Sequence, residues 1–276
     1  MIPLGIRLYG LGAIATGLVG LVWGDFALQW EPVAASFPGR TALAYVFAAL
    51  LVAAGAAVNW RRSSAVLGAA GLICLYAVVV VFMHGAQIVQ HAGAFAAWDG
   101  AAEQVALLAG GLAAYAYLAG GHALASRVAL ILMGVCLLMF GLAHFLYLDF
   151  TASFVPAWLP GGQKFWAALT GAAHLAAGAA LLSGIRARLA AVLLTVMFAT
   201  FSVLVHLPSL IADPHSHLNW VMNVINLALT GAAWVIATTL AETNTRRERL
   251  ARRENLAAGV AESNSAGGTI RPGQES

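Results

Sequence analysis

The sequence contains little charge. Only 9% of its 276 residues are Asp, Glu, Lys or Arg, whereas 61% are hydrophobic and the mean hydropathy is +0.84. A soluble domain of this length needs far more charge to cover its surface, so the composition excludes the soluble globular classes. Apolar runs of about 20 residues, long enough to cross a hydrocarbon core of ~30 Å, recur along the chain. The chain is therefore predicted to be an all-α integral membrane protein with the lipid bilayer as its first partner.

Cysteine pairs and nucleotide-binding or hydrolase motifs are absent as well. The two cysteines, Cys74 and Cys136, lie in different apolar runs, and without a CxxC pair there is neither a disulfide-exchange motif nor a zinc knuckle. Both are interpreted as small buried apolar side chains. The chain contains no Walker loop, GxGxxG, HExxH or GxSxG motif, and it has no extended soluble domain to hold a nucleotide. No nucleic acid partner is expected.

Polar breaks divide the apolar sequence into eight predicted transmembrane helices. Their approximate ranges are 5–24, 41–59, 64–84, 101–120, 127–147, 165–183, 188–207 and 218–240. If the N-terminus lies in the cytoplasm, twelve of the fourteen Lys and Arg residues fall on the cytoplasmic side. Because cytoplasmic loops of membrane proteins carry the excess of basic residues, the sequence predicts a multi-pass protein with cytoplasmic N- and C-termini.

Two irregular loops of the chain resemble each other. Residues 21–40, LVWGDFALQWEPVAASFPGR, align with residues 145–164, FLYLDFTASFVPAWLPGGQK, at a constant offset of 124. A later match, between VFMHGAQIV and VLVHLPSLI, places His84 on His206. Such a long period predicts a duplicated structural unit. Because each unit contains an even number of spans, the two copies are expected to have the same orientation.

The duplication predicts three parts of the chain. Residues 1–120 form a first four-helix membrane repeat, and residues 121–240 form a second. The first apolar run then corresponds to residues 128–148, and we expect it to be a retained helix, not a signal peptide. Residues 241–276 are polar, unlike the apolar runs before them. They are predicted to form a cytoplasmic tail that is first basic and then disordered.

Each of the two aligned loops begins with an acid and ends with a base. Asp25 falls on Asp149, and Arg40 falls on Lys164. Asp commonly begins turns and caps short helices, and an acid on the outer side is also a candidate for proton transfer. Since both members recur in both copies, we expect two structural ion pairs, Asp25 with Arg40 and Asp149 with Lys164, each closing its own loop.

Three of the eight histidines are candidate ligand contacts. His144, His174 and His206 lie in the predicted fifth, sixth and seventh spans. An ionisable side chain in the apolar zone is costly and indicates function by default. A neutral imidazole can ligate a metal ion or donate a hydrogen bond to a quinone carbonyl. Alternatively, each histidine bonds a neighbouring helix and only stabilises the packing. His144 and His174 are expected to be close, because helices consecutive in sequence usually pack as neighbours.

One segment resembles a known family. Residues 141–184 contain the sequence GLAHF ahead of a loop, a VPAWLP turn in that loop, an FWA helix start and a GAAHLAAGAALL helix. With these elements the chain resembles the DoxX-like family of bacterial integral membrane proteins, best over residues 128–240, with the first half as a diverged second copy. The resemblance implies a four-span bundle, a location in the bacterial inner membrane, and quinone-linked redox chemistry, since the family is named after membrane subunits of a thiosulfate:quinone oxidoreductase. The absence of reactive cysteines argues against direct sulfur chemistry.

The leading functional interpretation is a redox-associated, quinone-linked membrane subunit. His144, His174 and His206 would contact a quinone or a metal ion in a common cleft near the outer surface, and a redox partner subunit is a further candidate partner. The alternative is a non-enzymatic membrane scaffold or a small-solute permease. The inner halves of most spans are nearly all apolar, which weighs against a permease. The sequence does not decide whether the chain is an enzyme.

The predicted topology can be tested by labelling single cysteines in a variant that lacks the two native ones. A membrane-impermeant maleimide added to intact cells is expected to label Gly161→Cys and Ala212→Cys, because both positions lie in predicted outer connections. Ser63→Cys and Ser183→Cys should react only after lysis. Labelling at Ser63→Cys from outside would contradict the eight-span topology.

Overall fold

The described part of the chain is almost entirely helical. The computed structural model describes the backbone of residues 1–267 and, within that range, all side chains except those of residues 247, 253 and 255–267. No strand occurs among these residues. Eight helices are long and apolar enough to cross a membrane, which confirms the predicted number. Numbered α1 to α8, they are Leu4–Trp23, Arg40–Trp60, Arg62–Gln90, Phe95–Leu118, Ala123–Leu146, Gln163–Ser183, Ala187–Ala212 and His217–Gly267.

Local sequence signals explain where several helices begin and end. Gly24 follows α1 with a φ of 61°, and its N–H donates to the carbonyl of Gly20 at 2.9 Å. Gly184 follows α6 with a φ of 75°. Glycine adopts this left-handed conformation without a steric penalty and so ends a helix cleanly. Between α2 and α3, Arg61 is extended and its N–H donates to the Ser64 hydroxyl at 3.0 Å, which caps α3.

The chain divides into two compact units. Met1–Thr239 form the first unit and Leu240–Ser276 the second. Both predicted membrane repeats therefore lie within the first unit, except for Leu240 at the end of the second repeat. In the second unit the helix continues to Gly267, whereas the sequence predicted disorder for the last part of the tail. Ala, Leu, Glu and Arg dominate LARRENLAA, and they are strong helix formers. Residues 268–276 of the predicted disordered tail lie outside the described residues.

Small residues bring two helix pairs into backbone contact. In the pair α1 and α2, a Cβ added to Gly55 would lie 2.5 Å from the carbonyl oxygen of Gly10. In the pair α5 and α6, a Cβ added to Gly178 would lie 2.8 Å from the carbonyl oxygen of Gly134. Gly10 and Gly134 are 124 residues apart in the chain, which is the offset of the two aligned loops. Only residues without a side chain permit such close approach.

The portion of α8 within the first unit occupies the centre of the fold. It is the most buried of the eight candidate spans. A Cβ added to Gly12 of α1 would lie 2.5 Å from the Cα of Ala228, and one added to Gly231 would lie 2.5 Å from the Cα of Tyr9. The last helix is thus packed directly on the first. The two halves of the chain form one core and not two separate bundles.

Two helices are interrupted by π-helical turns. Val79–His84 forms such a turn within α3, and Ser202–His206 forms one within α7. Each turn ends on a histidine of the aligned pair. Pro208 follows the second turn and lacks an N–H, and its ring would clash with a carbonyl one regular turn earlier, which favours the wider π geometry there. Turns of this kind occur frequently at functional sites.

Both expected loop ion pairs are present, but their surroundings differ. Arg40 contacts the Asp25 carboxylate, and these side chains are 22% and 32% exposed. Arg40 also donates to the carbonyl of Val33 at 3.2 Å. Lys164 lies 2.6 Å from the Asp149 carboxylate, with the two side chains 69% and 83% exposed. An exposed pair is screened by water and contributes little, whereas a largely buried pair with further hydrogen bonds stabilises its loop.

Removing the basic side chain from each loop should therefore lower the free energy of unfolding by unequal amounts. Arg40→Gln is expected to lower the free energy of unfolding by about 1–3 kcal/mol, because Asp25 and the Val33 carbonyl lose their donor. The matched variant Lys164→Gln should change it by no more than about 0.5 kcal/mol. Thermal unfolding in a mild detergent, followed by circular dichroism, measures both. Equal losses in the two variants would show that the difference in burial is irrelevant.

The glycine contacts predict a second unequal response. Gly55→Ala and Gly178→Ala should each lower the thermal midpoint, because the new methyl group overlaps a backbone oxygen and overpacking costs about 1–3 kcal/mol. In the control variant Gly71→Ala, the new Cβ would lie 3.4 Å from its nearest neighbour, Ala54. This change should be neutral or stabilising, since alanine favours a helix over glycine by about 1 kcal/mol. Unchanged stability in the first two variants would contradict direct backbone contact.

Candidate functional site

A cavity of about 250 Å³ lies between the two halves of the first unit. The second half supplies most of its wall, including all three candidate histidines, His144, His174 and His206. The first half supplies Trp30, Asp99 and Glu103. The apolar part of the wall consists of Phe140, Ala143, Phe150, Phe198, Phe201, Met222, Ile225 and Leu229. The three histidines from consecutive spans are therefore brought to one cavity.

His144 and His174 form the closest pair of imidazoles at the cavity. Their ring centroids are 4.9 Å apart. The Nδ1 of His144 lies 2.8 Å from the carbonyl of Phe140, and the Nδ1 of His174 lies 2.9 Å from the carbonyl of Thr170. A carbonyl can only accept, so each Nδ1 carries the hydrogen and donates it to its own helix. In the neutral imidazole this leaves Nε2 as an acceptor.

The Nε2 of His174 has no hydrogen-bond partner, although the residue is only 1% exposed. A buried polar atom without a partner costs roughly 1–3 kcal/mol, and each such atom calls for an explanation. A ligand with a hydroxyl group would satisfy it. The sequence suggested a histidine that donates to a quinone carbonyl, but this tautomer offers an acceptor instead.

Aromatic rings surround His174. The rings of Phe140, Phe198 and Phe201 have their centroids 5.8, 5.7 and 6.3 Å from the centroid of its imidazole. These distances are typical of edge-to-face and tilted ring contacts. The imidazole is thus held in a largely apolar wall of aromatic rings.

His206 reaches the same cavity from the end of the π turn in α7. Asn226 of α8 connects the two helices at this turn, because its amide donates to the carbonyl of Phe198 at 2.9 Å and to the Ser202 hydroxyl at 2.6 Å. Asn226 also lines the cavity. The irregular helix is therefore held by a specific polar contact beside the site.

Two acids and a tryptophan of the cavity were missed by sequence reasoning. Asp99 and Glu103 are one turn apart on α4, and the indole N–H of Trp30 donates to the Glu103 carboxylate. The Oδ1 of Asp99 is buried without a hydrogen-bond partner. In the sequence, Asp99 and Glu103 lie at the start of the fourth predicted span and Trp30 follows the first, so nothing connected the three residues. One sequence feature could have revealed this site: the two acids are four residues apart in the least apolar of the eight spans, so they lie on the same helix face.

A buried acid stabilises the loop that contains Trp30. Glu31 is only 6% exposed, and its carboxylate accepts the N–H of Ala27 at 3.0 Å. Burial raises the pKa of Glu31 to about 7, with a smaller contribution in the same direction from Asp25. The Nε2 of His84 lies 3.1 Å from the carbonyl of Trp30 and donates to it. These contacts fix the position of the indole that reaches Glu103.

A larger cavity of about 640 Å³ adjoins the first. It is lined on the first-half side by His84, His91, Gln29 and Gln87, among others. Five residues line both cavities, and they are Trp30, Asp99, Glu103, Tyr147 and Phe150. The acidic pair thus belongs to the wall between a cavity that contains the histidine pair and one that reaches the exposed residue His91.

The described residues do not form a complete set of metal ligands at the cavity. Within the residues that the structure describes, no group of three or more His, Cys, Asp or Glu side chains is arranged to hold a metal ion. A metal ion at this cavity would have to rely on the two close imidazoles of His144 and His174 together with ligands from outside the chain.

Comparison with known proteins adds one finding. A protein family described as a domain of unknown function (DUF8561) matches residues 133–241. This range contains His144, His174 and His206 together with most of the cavity wall. No curated protein and no solved structure shows significant similarity to the chain. The chain is therefore similar to this family over its second half, including the part that forms the candidate site.

Proposed function

We propose that the protein is a bacterial inner-membrane, redox-associated subunit that binds the hydroquinone form of a quinone in the cavity of about 250 Å³. The observation that carries the proposal is the Nε2 of His174, a buried hydrogen-bond acceptor without a partner on a residue that lines this aromatic cavity. A hydroquinone combines a planar ring with two hydroxyl donors. The cavity is slightly smaller than the roughly 300–1,000 Å³ of drug-sized sites, which suits one ring with its substituents.

The neighbouring side chains provide the chemistry that such a ligand needs. His174 accepts a hydrogen bond from one hydroxyl, and an imidazole in this position also serves as a base for the hydroxyl proton. His144 presents a second acceptor from the adjacent helix. The rings of Phe140, Phe198 and Phe201 offer apolar contacts to the faces of the ligand. A quinone's oxidised form lacks the hydroxyl donors, so the site should favour the reduced form.

The proposed membrane architecture has independent support. Eight apolar helices of sufficient length suit a multi-pass protein with cytoplasmic N- and C-termini. The corresponding glycine contacts at Gly10 and Gly134, and the π turns that end on His84 and His206, support two four-helix repeats in the same orientation. The segment at residues 141–184 supports membership of a DoxX-like family.

A small-solute permease or a scaffold is the second candidate. A permease needs a polar path through both leaflets. The residues that line the two cavities lie in the outer halves or middles of the proposed spans, and they include none near the turn at Arg61 or the one at Gly184. The cavities therefore support a ligand site that opens on one side more than a continuous path.

Ligand binding tests the proposal. Decylubiquinol should bind the purified protein in nanodiscs, as measured by calorimetric titration under anaerobic conditions. His174→Phe preserves the aromatic wall but removes the acceptor, and it should weaken binding about tenfold, the equivalent of one lost buried hydrogen bond. The control variant His215→Phe, at an exposed position, should bind as the wild type does.

Two results would contradict the hydroquinone proposal. One is the absence of decylubiquinol binding by correctly folded wild-type protein. The other is unchanged affinity in His174→Phe, since the ligand would then not use the unpaired nitrogen. Weaker binding of decylubiquinone than of decylubiquinol by the wild type would support the assignment of His174 as an acceptor.

A further inference from the structure

We propose that Asp99 and Glu103 form a proton-exchange pair that connects the histidine cavity to the larger cavity and, through it, to the outer side. The inference rests on the proposed function, because the proton comes from the hydroxyl of the bound hydroquinone. It assigns a role to two acids in an apolar fold, where an intramembrane carboxyl group is costly.

The two acids lie in the wall between the two cavities. Asp99 and Glu103 lie on the same face of α4, one turn apart, and both line both cavities. On one side of this wall are His144 and His174, with the unpaired Nε2 of the buried His174. On the other side is exposed His91. A proton that leaves the first cavity by this wall therefore meets the two carboxyl groups before it reaches the outer surface.

The surroundings of the two acids offer them no fixed positive charge. Neither cavity is lined by a lysine or an arginine within the described residues. The other titratable side chains that line the two cavities are Tyr147, His84, His91, His144, His174 and His206, and the indole of Trp30 contacts Glu103. Glu31 follows Trp30 in the sequence. Two carboxyl groups one turn apart, without a fixed cation, repel each other when both are ionised, which favours sharing of one proton.

The two acids differ in their hydrogen bonds. The indole N–H of Trp30 occupies one oxygen of Glu103, whereas the Oδ1 of Asp99 is buried and has no partner. Trp30 therefore orients Glu103, and Asp99 keeps an oxygen that no donor occupies and that can take up a proton. An indole only donates, so it stabilises the ionised form of Glu103 without competing for the proton.

The transfer consists of acid–base steps only. The ligand O–H bond breaks and an N–H bond forms at the Nε2 of His174. That N–H bond then breaks as an O–H bond forms on the Glu103 carboxylate, across the cavity or through water. Asp99 takes the proton in the same way and releases it to water in the larger cavity. Each step transfers one proton, and none of the steps is a redox reaction.

Single-turnover kinetics test the pair. Protein in excess binds all the decylubiquinol, and ferricyanide is then added from the aqueous phase. Each hydroquinone gives two electrons to two ferricyanide ions and loses two protons. In the wild type the rate should depend on pH. Asp99→Asn and Glu103→Gln should slow it by at least about tenfold and remove that dependence, because proton removal becomes limiting.

The controls separate a role in proton transfer from a structural one. Asp213→Asn, at an exposed position, should behave as the wild type. Asp99→Glu and Glu103→Asp keep a carboxyl group and should restore the pH-dependent rate if the amide variants misfold. Normal decylubiquinol affinity with wild-type rates in both amide variants would overturn this inference alone. A wild type that does not bind decylubiquinol would overturn the proposed function and the proton pair with it.

Discussion

Direct backbone contact between α5 and α6 determines whether the histidine pair can exist. At Gly171 of α6, an added Cβ would lie 2.7 Å from the Cβ of His144 and close to the α5 backbone. Because no side chain separates the helices here, His144 and His174 reach a centroid distance of 4.9 Å. A larger residue at this position would push the helices apart and separate the imidazoles. The polar chemistry of the cavity therefore depends on the smallest residue in an apolar interface.

The sequence predicted the parts of this fold that depend on local information. Apolar runs predicted eight helices, and the aligned loops indicated the pairs Asp25 with Arg40 and Asp149 with Lys164. The closeness of His144 and His174 followed from their places on consecutive helices. Each of these features arises within a short stretch of chain or between sequence neighbours.

Contacts between the halves were beyond sequence reasoning. Trp30 is distant in sequence from Glu103, and neither is near His174, so the composite wall appears only after the halves have packed. Trp30 near a span end matched the pattern of an interface anchor, yet its indole is directed inward to a carboxylate. The tautomers of the histidines were equally inaccessible, because they depend on which ring nitrogen meets a backbone carbonyl. Residue types suggested a ligand site, whereas the tautomers on which the hydroquinone proposal rests came only from the geometry.

The central place of α8 has a consequence for how the protein is made. This helix follows the other seven in the chain, and Gly231 allows it to rest against Tyr9 of the first. Until α8 leaves the ribosome, the groove on α1 that receives it has no occupant, and Asn226 cannot yet bind the π turn of α7. Partly made chains expose such unfilled surfaces and depend on chaperones or insertases to avoid wrong contacts. The cavity is consequently a late product of synthesis, and a truncated chain would lack it even though every histidine had already been translated.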